Sequence, residues 1–330
     1  MRKVVVIGAT SNVGSYFAFW ARDYFGQRCE VVATGRRKTD FFERNGMPYV
    51  CLDMTRPEDF ERLPQQDVHA VVLLSAAAPS YMSEYDPRSY LDVNVVGTFN
   101  VLEYCRRAGV DRILYIQTTY DIWNRVLRGE VIGPETERDY SYTGDHALYV
   151  ISKNAGMDLV EHYRQEYGLK TFVFRFPTIY NYSPYHYYFP GGKKTLRPVY
   201  RMIENAMMSK PVEIWGDPKA AKDMVYVADC SQMLCKAVEV DRDHGFYNVG
   251  TGVPVTLEEQ VKTIVDVFSP PDNPSPIVFR PEKTCGGFCL MDVQNAKDEL
   301  GYAPQYDVRA LFEEYKKEMS LNRFGELLMR

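Results

Sequence analysis

Short apolar runs rich in Val and Ile alternate with longer segments of helical periodicity through the first half of the chain. The apolar runs occupy residues 3–8, 29–35, 48–53, 68–76, 112–118 and 170–176. Strands that are apolar along their whole length are buried on both faces, as in a parallel sheet covered by helices on either side. The alternation therefore predicts an α/β fold built on a doubly wound parallel sheet.

The pattern changes after residue 177. Residues 178–198 are rich in Tyr, Pro, Gly and Lys with little periodicity, and helices and short strands follow. We interpret the second half as a smaller α/β lobe whose chain returns once to the sheet, around DMVYVADC (223–230). The predicted division gives a sheet domain of residues 1–177 plus 223–250, and a smaller lobe of residues 178–222 and 251–330.

Composition argues against several classes of protein. The 330-residue chain carries a net charge of -5, which argues against a surface for nucleic acid or anionic membrane. No apolar run approaches the roughly 20 residues of a membrane-spanning helix. The apolar run in MRKVVVIGAT is too short for the core of a signal peptide. A cytoplasmic protein is expected.

The seven cysteines predict reduced thiols rather than a disulfide framework, because their number is odd and their spacing irregular. Cys285 and Cys289 stand together in CGGFC. No second cysteine or histidine pair lies nearby in the sequence at ligand spacing, so no metal site is expected.

A glycine-containing turn, GATSNVG, directly follows the first apolar run and opens a helical pattern. Gly8 permits a tight turn, and Gly14 lets the helix pack close to the strand. The helix amides around Asn12 and Val13 can hold a pyrophosphate, and the Ser11 hydroxyl can donate to it. The context predicts dinucleotide binding; the alternative is a plain strand–turn–helix connection.

The end of the second strand reads ATGRRK, with Arg36 and Arg37 where an acidic residue often binds the ribose hydroxyls. Two guanidinium groups and no carboxylate favour NADP over NAD, although NAD remains possible. The alternative is a solvated basic turn.

Two further segments are candidates for contacts with the dinucleotide. Asp53, followed by Met54, either accepts from an adenine amino group or caps the next element. The small residues Ala76, Ala77 and Ala78 let a flat cofactor lie close to the backbone, and they also suit ordinary helix–sheet packing.

The order of motifs along the chain resembles the extended short-chain dehydrogenase/reductases, in particular the nucleotide-sugar epimerases and dehydratases. The resemblance rests on GATSNVG, SAAAP, DVNVVGTFNVLEYC, YIQTTYDIW, YVISK, RFPTIY, IWGDPKAAKDMVYVAD, FYNVGTG and DVQNAKDELGYAP. These motifs cover almost the whole chain. They imply a Rossmann domain that binds the dinucleotide and a smaller lobe that binds substrate.

The resemblance also implies roles for individual residues. Tyr149 is the expected general acid/base for a substrate hydroxyl. Lys153, one helical turn away, is expected to lower the phenol pKa through its ammonium charge and to bind the nicotinamide ribose. Thr119 is expected to hydrogen-bond the reacting oxygen, with Thr118 as the neighbouring candidate. Asn94 is expected to be mainly structural.

The chain departs from the family pattern where dehydratases carry an Asp-Glu pair. Tyr120 and Asp121 stand there instead, which counts against dehydration, although Asp121 alone can still serve. The aromatic stretch 180–189, with His186, either stacks on a base or sugar or packs between lobes or at a dimer contact.

The substrate side departs as well. Pro177 and Thr178 are expected near the nicotinamide carboxamide, but Thr178 replaces an Asn that binds diphosphate in nucleotide-sugar enzymes. Asn181 stands at a Gly position and Lys222 at an Arg position. The expected substrate-binding residues are Thr118, Asn181, Lys193 and Lys222, with Lys194 and Arg197 close to Lys193.

Together these features predict an NAD(P)-dependent epimerase or reductase that acts on a nucleotide-activated sugar by reversible hydride transfer. The alternatives are an NADP-dependent reductase or dehydrogenase of a non-nucleotide carbonyl compound, and a cofactor-binding regulator without turnover. A homodimer is expected, with the helices at about 88–108 and 147–167 forming a four-helix contact.

Overall fold

The computed structural model describes residues 1–284 and 289–329. Its centre is a sheet of seven strands, and every neighbouring pair is parallel. The strands are β1 (Arg2–Ile7), β2 (Cys29–Gly35), β3 (Tyr49–Cys51), β4 (Val68–Leu73), β5 (Arg112–Thr118), β6 (Lys170–Phe176) and β7 (His244–Asn248). Their spatial order is β7-β6-β5-β4-β1-β2-β3. The predicted doubly wound parallel sheet is confirmed.

Eight longer helices surround the sheet or follow it in the chain. They are α1 (Asn12–Phe25), α2 (Thr98–Arg107), α3 (Ala147–Tyr167), α4 (Pro198–Met207), α5 (Val227–Glu239), α6 (Leu257–Phe268), α7 (Gln294–Leu300) and α8 (Val308–Leu321). Shorter helices lie at Phe41–Arg44, Pro57–Arg62, Pro79–Tyr81, Pro87–Ser89, Thr119–Ile122, Trp123–Leu127, Pro190–Gly192 and Gly325–Leu328. A π-helical stretch, Tyr90–Gly97, leads directly into α2.

Outside the central sheet, the strands are short and pair two by two. The pairs are Tyr187–Tyr188 with Thr195–Leu196, Val212–Trp215 with Ile277–Arg280, Ala221–Asp223 with Pro254–Thr256, Val225–Tyr226 with Ile179–Tyr180, and Leu290–Met291 with Val131–Ile132. Four of the five pairs involve strands from the second half alone. None of the helices in residues 1–284 and 289–329 is long and apolar enough to cross a membrane.

The predicted return of the chain to the sheet around 223–230 is wrong. Val225–Tyr226 pairs with Ile179–Tyr180, outside the central sheet, and α5 begins at Val227. The strand that completes the sheet is β7, which pairs with β6. Almost every residue of α5 is buried. The apolar run 224–228 crosses from the short strand Val225–Tyr226 into the first turn of α5, and periodicity over so few residues does not distinguish a strand from a helix.

Two apolar cores cover the two faces of the sheet. One contains Phe17 of α1, Phe172 of β6 and Leu234 of α5; the other contains Tyr104 of α2 and Tyr163 of α3. Helices α1 and α5 pack against each other on the first face. Because both faces are covered, the carboxyl ends of the strands remain as the accessible edge of the sheet.

Candidate active site

A cleft of about 1040 Å³ opens at the carboxyl ends of the central strands. There β1 and β4 lie side by side, with β2 and β3 beyond β1 and the remaining strands beyond β4. Ligands of open α/β sheets bind at such a point, where the strand order reverses. Most predicted site residues line the cleft: Gly8, Ser11, Asn12, Val13, Arg36, Arg37, Asp53, Met54, Ala76, Ala77, Ala78, Thr118, Thr119, Tyr149, Lys153, Pro177 and Thr178.

The turn between β1 and α1 requires its two glycines for different steric reasons. Gly8 adopts a φ of 94°, and a Cβ there would lie 2.8 Å from the Ser75 amide nitrogen. A Cβ on Gly14 would collide with the Gly8 carbonyl oxygen. The absence of that Cβ lets α1 pack directly on the end of β1, as the sequence predicts.

Ser11 caps α1 and shapes the mouth of the turn. Its Oγ accepts a hydrogen bond from the Gly14 amide at 3.1 Å, so the hydroxyl proton remains available for donation. The first intrahelical bond runs from the Ser15 amide to the Ser11 carbonyl, which leaves the Asn12 and Val13 amides outside the helical ladder. The positive end of the helix dipole therefore borders the cleft and suits an anion such as pyrophosphate.

Arg36 and Arg37 line the part of the cleft beyond the end of β2, and both are exposed. The Tyr49 hydroxyl lies within hydrogen-bond distance of the Gly35 and Arg37 carbonyls and holds the backbone of this turn. The Arg37 guanidinium donates to the carbonyl of Leu327. Two positive groups thus stand where the dinucleotide-binding interpretation places the adenosine ribose.

Asp53 shapes the turn that follows β3. Its Oδ1 accepts from the Thr55 amide at 3.0 Å and from the Thr55 hydroxyl at 2.8 Å. The next element, Pro57–Arg62, begins after Arg56 and has no side-chain cap, so Asp53 forms a local turn and does not cap that element. The side chain also borders the cleft beside Met54, so a contact with a bound base stays a prediction.

Asn94 ties the loop after β4 to the helix that carries Tyr149. Its Oδ1 accepts from the Ala77 amide at 2.8 Å, and its Nδ2 donates to the Ala77 carbonyl and the Ser152 hydroxyl, both at 3.0 Å. Ser152 in turn donates to the Tyr149 carbonyl at 2.7 Å. The buried amide thus positions two walls of the cleft, which agrees with its expected structural role.

Tyr149 lies in the cleft wall at the end of β5, and its hydroxyl is hydrogen-bonded to Thr118. Thr119, the expected partner of the reacting oxygen, also lines the cleft. Burial raises the pKa of Tyr149 to about 12, and the hydrogen bond with Thr118 opposes this rise only in part. The geometry therefore favours Thr118 over Thr119 as the residue that orients the phenol.

Lys153 is only 4% exposed, and burial lowers its pKa from 10.5 to about 7. Its Nζ lies 4.2 Å from the centre of the Tyr115 ring. Burial therefore dominates the pKa of Tyr149, and the expected lowering of that pKa by the Lys153 ammonium stays a prediction. Desolvation disfavours the charged form of both groups, so the phenol pKa rises while the ammonium pKa falls.

The predicted substrate residues are only partly brought together. Thr118 lines the cleft, as does Arg197, whereas Lys193 is exposed outside its lining. Lys222 lies over the Tyr180 ring at 5.8 Å. Arg197 is therefore the cation from the smaller lobe that is best placed for an anionic substrate.

Asn181 is engaged elsewhere, in a reciprocal amide pair with Asn12. The two side chains exchange hydrogen bonds of 3.1 and 2.9 Å. Nearby, His186 stacks on Tyr200 with ring centres 3.4 Å apart, and burial lowers its pKa to about 4. His186 is thus neutral near pH 7 and borders a smaller neighbouring cavity. This favours the packing alternative for that histidine.

Leu327, Leu328 and Met329 also line the cleft, and the sequence analysis missed them. They lie 290 or more residues away from Arg37 along the chain. A four-residue helix with ordinary apolar side chains, Gly325–Leu328, carries no local signal of such a contact. Only the tertiary fold brings this segment to the cleft.

Residues 4–250 match the model of the NAD dependent epimerase/dehydratase family. The chain belongs to that family. Two relatives illustrate its range. A dTDP-glucose 4,6-dehydratase from Neisseria meningitidis is 27% identical over 94% of this chain and 86% of its own length. An uncharacterized protein from Methanocaldococcus jannaschii is 25% identical over 63% of this chain and 60% of its own length.

A solved structure, the UDP-glucose 4-epimerase of Thermotoga maritima with UDP-glucose, superposes with a TM-score of 0.76. The match covers 97% of this chain and 99% of that one at 21% sequence identity, a level that establishes the fold alone. The dehydratase and the epimerase catalyse different reactions. Membership of this enzyme family therefore fixes the class of cofactor chemistry and leaves the reaction to be argued from the site.

The site fits the nicotinamide dinucleotide of the family. The turn leaves no room for a Cβ at Gly8 or Gly14, and the α1 amides of Asn12 and Val13 border the cleft. These are the features that a pyrophosphate between a strand and a helix requires.

Asp121 differs from the acidic residues expected of the family's dehydratases. It is completely buried, and its carboxylate accepts from the Arg175 guanidinium at 3.1 Å. Arg175 also donates to Asn248 of β7 at 3.2 Å. A carboxylate in such a pair joins strand ends and is turned away from the cleft, so the possibility that Asp121 serves in proton elimination is not supported.

Within residues 1–284 and 289–329, no group of three or more His, Cys, Asp or Glu side chains is placed to hold a metal ion. Cys289 is partly buried, and Cys285 lies outside the described residues.

Replacing Lys153 by Met should stabilise the fold in a pH-dependent way. The unfolded lysine keeps its proton up to about pH 10.5, whereas the folded one loses it near pH 7. The wild type therefore gains stability as the pH rises from 7 to 10.5. We expect Lys153→Met to be more stable by about 2–4 kcal/mol near pH 6.5 and the gap to shrink by about pH 9.5.

Urea unfolding at several pH values measures this difference. Lys262→Met is the matched control, because Lys262 is exposed and pairs with Glu258 on the surface of α6. A stability gap for Lys153→Met that does not change with pH would contradict the burial of a titrating amine.

Proposed function

We propose that this protein is an NAD(P)-dependent epimerase or reductase of a nucleotide-activated sugar, with Tyr149 as the general acid/base. The observation that carries the proposal is the meeting of Tyr149, Thr118 and Lys153 in the cleft that also contains the dinucleotide turn. A binding protein without turnover has no need for a phenol, a hydroxyl and a buried amine at that point.

When bound, the nicotinamide accepts or supplies a hydride. The protein moves the accompanying proton. With a pKa of about 12, Tyr149 is ionised in only about 1 in 10⁵ molecules at pH 7, so it is suited to donate its proton to a substrate carbonyl oxygen. Thr118 holds the phenol in place. Lys153, with a pKa of about 7, can supply a replacement proton near neutral pH. The same phenol takes the proton back when the reaction runs in reverse, so this protonation pattern suits either an epimerase or a reductase.

Tyr149→Phe should remove the proton donor without disturbing the cleft. We expect kcat to fall by about 10²–10⁴-fold, because general acid/base catalysis contributes that much, while cofactor affinity changes less than about twofold. The oxidation of the reduced cofactor, followed spectroscopically with the best substrate of the screen described below, measures it. Tyr167→Phe, at the exposed end of the same helix, is the control. Full activity of Tyr149→Phe would exclude the assigned role.

We infer a preference for NADP over NAD. The support is the pair Arg36 and Arg37 at the end of β2, where a carboxylate would repel a 2′-phosphate. Arginine also provides the fork of donors that a phosphate accepts.

Arg36→Ala should weaken NADP binding by about tenfold and change NAD binding by less than about twofold, since only NADP presents a phosphate there. Isothermal titration calorimetry gives both dissociation constants. Arg22→Ala is a control, because Arg22 lies on α1 and pairs with Asp23. If the parent protein binds NAD as tightly as NADP or more tightly, the inferred preference for NADP is wrong.

The proposed substrate class rests on Arg197 and on the family. Arg197 lines the cleft, lies over the rings of Tyr81 and Tyr188 at 5.6 and 6.0 Å, and makes no ion pair among residues 1–284 and 289–329. An unpaired guanidinium at this position suits a diphosphate. Two of the proteins named above are a UDP-glucose 4-epimerase and a dTDP-glucose 4,6-dehydratase. Residues 178–222 and 251–330 are the proposed substrate-binding lobe.

A second candidate is the reduction or oxidation of a non-nucleotide carbonyl compound. It is favoured by the engagement of Asn181 with Asn12 and by the positions of Lys193 and Lys222, which leave fewer diphosphate contacts than expected. Thermal-shift measurements with UDP-, GDP- and dTDP-sugars in the presence of NADP separate the two candidates. We expect a rise in Tm with one nucleotide class; no response to any of them would favour the second candidate.

We also infer a homodimer through the helices that carry residues 90–107 and 147–167. Leu91, Val96, Phe99 and Ile151 are exposed large apolar side chains on these helices, and such a patch is typical of an interface. A mass of one chain in sedimentation equilibrium would contradict it. The cytoplasmic location stays a prediction.

A further inference from the structure

The segment Phe324–Met329 returns to the cleft after the end of α8. The turn is made at Asn322, which adopts a φ of 44° and caps α8 in the left-handed conformation. Beyond it, Leu327, Leu328 and Met329 line the cleft beside the Arg36–Arg37 turn. We call Phe324–Met329 the return segment.

An aromatic contact attaches the return segment to the first strand–helix unit of the sheet domain. The Phe324 ring packs on Tyr16 and Phe19 of α1 and on Phe41, with ring centres 4.7, 5.4 and 6.2 Å apart. Phe324 itself is buried. The segment is therefore held against the elements that frame the dinucleotide turn, and such aromatic clusters add to the free energy of simple burial.

A second attachment is electrostatic. The Arg44 guanidinium donates to both carboxylate oxygens of Glu326, at 2.7 and 2.9 Å. Both side chains are about half exposed, so the pair orients the return segment more than it stabilises the fold. Both bonds come from the same guanidinium nitrogen, Nη2, and they tie the short helix Gly325–Leu328 to Arg44.

The return segment also fixes the side chain of Arg37. The Leu327 carbonyl accepts one of the five N–H groups of the guanidinium, and the others remain available. Tyr49 holds the backbone of the same residue. An arginine whose backbone and side chain are both held loses less conformational entropy when it binds a phosphate.

We propose that the return segment is part of the dinucleotide site. Leu327, Leu328 and Met329 form an apolar wall at the adenosine end of the cleft, and the Leu327 carbonyl is a positioning group that directs Arg37 toward a phosphate on the adenosine ribose. The role of Arg37 rests on the proposed NADP preference. The apolar wall does not, because any adenosine bound at the end of β2 would meet it.

Two adenosine fragments test the proposal without the nicotinamide. Binding of 2′,5′-ADP and 5′-AMP is measured by calorimetry on the parent chain and on a chain that ends after Phe324. We expect the shortened chain to bind 2′,5′-ADP at least about tenfold more weakly and 5′-AMP about threefold more weakly, since it loses both the carbonyl and the wall. Unchanged affinities in a shortened chain with native circular dichroism would overturn the proposal.

Two point variants distinguish the orienting effect of the Arg44–Glu326 pair from the packing of the return segment. Glu326→Gln weakens the bond that orients the short helix and should reduce 2′,5′-ADP affinity by about two- to fivefold. Glu314→Gln is the matched control, because Glu314 pairs with Lys317 on the exposed side of α8. Equal effects of the two variants would show that the Arg44 pair has no part in positioning Arg37.

Amide hydrogen exchange keeps the test decisive when the shortened chain does not fold. Saturating 2′,5′-ADP should protect residues 325–329 of the parent chain, and absence of protection would overturn the proposal. If the parent binds NAD and NADP equally, the NADP preference fails. The wall is then judged by 5′-AMP alone: weaker binding by the shortened chain upholds it, and unchanged binding overturns it.

Discussion

The close approach of α1 to β1 is the constraint on which the rest of the site depends. Because Gly14 has no Cβ, the first turn of the helix can lie against the Gly8 carbonyl. A side chain there would push the helix away from the strand by more than the structure can absorb without loss of packing. The contact brings the α1 amides to the edge of the sheet, presses α1 on α5, and gives Phe324 a surface on which to pack. The absence of a Cβ at Gly14 thus affects both the packing of the core and the shape of the cleft.

Desolvation determines the chemistry at the other end of the cleft. In water a phenol and a lysine ammonium titrate within about half a pKa unit of each other. Burial separates them, to about 12 for Tyr149 and about 7 for Lys153. The order of proton loss is thereby fixed: the amine becomes neutral well before the phenol ionises. Both groups are therefore neutral between about pH 7 and pH 12, and the neutral pair costs far less to bury than an ion pair would.

Much of this architecture could be predicted from the sequence, and the failures have a common cause. The bounds of three strands, 29–35, 112–118 and 170–176, agree with the prediction because β-branched residues and flanking turns define them locally. The return strand was misplaced because the apolar run 224–228 spans a two-residue strand outside the central sheet and the first turn of α5. The choice between Thr118 and Thr119 depends on the direction in which a side chain leaves the end of β5. The return segment depends on a contact between distant parts of the chain. The orientation of a side chain and contacts between residues far apart in the sequence are set by tertiary packing. Local sequence patterns do not encode them.

Three separate parts of the chain meet at α1, and this has a consequence for how the site operates. The helix presents its N-terminal amides to the cleft, and the Asn12 side chain on that same turn exchanges two hydrogen bonds with Asn181 of the smaller lobe. The return segment packs on the outer face of the helix. Helix α1 therefore contacts both segments directly. Because two reciprocal hydrogen bonds fix both the distance and the angle between the Asn12 and Asn181 amides, a shift of the turn after β1 relative to the segment after β6 must break at least one of them. The Asn12–Asn181 pair is thus the point at which the positions of these two segments constrain one another.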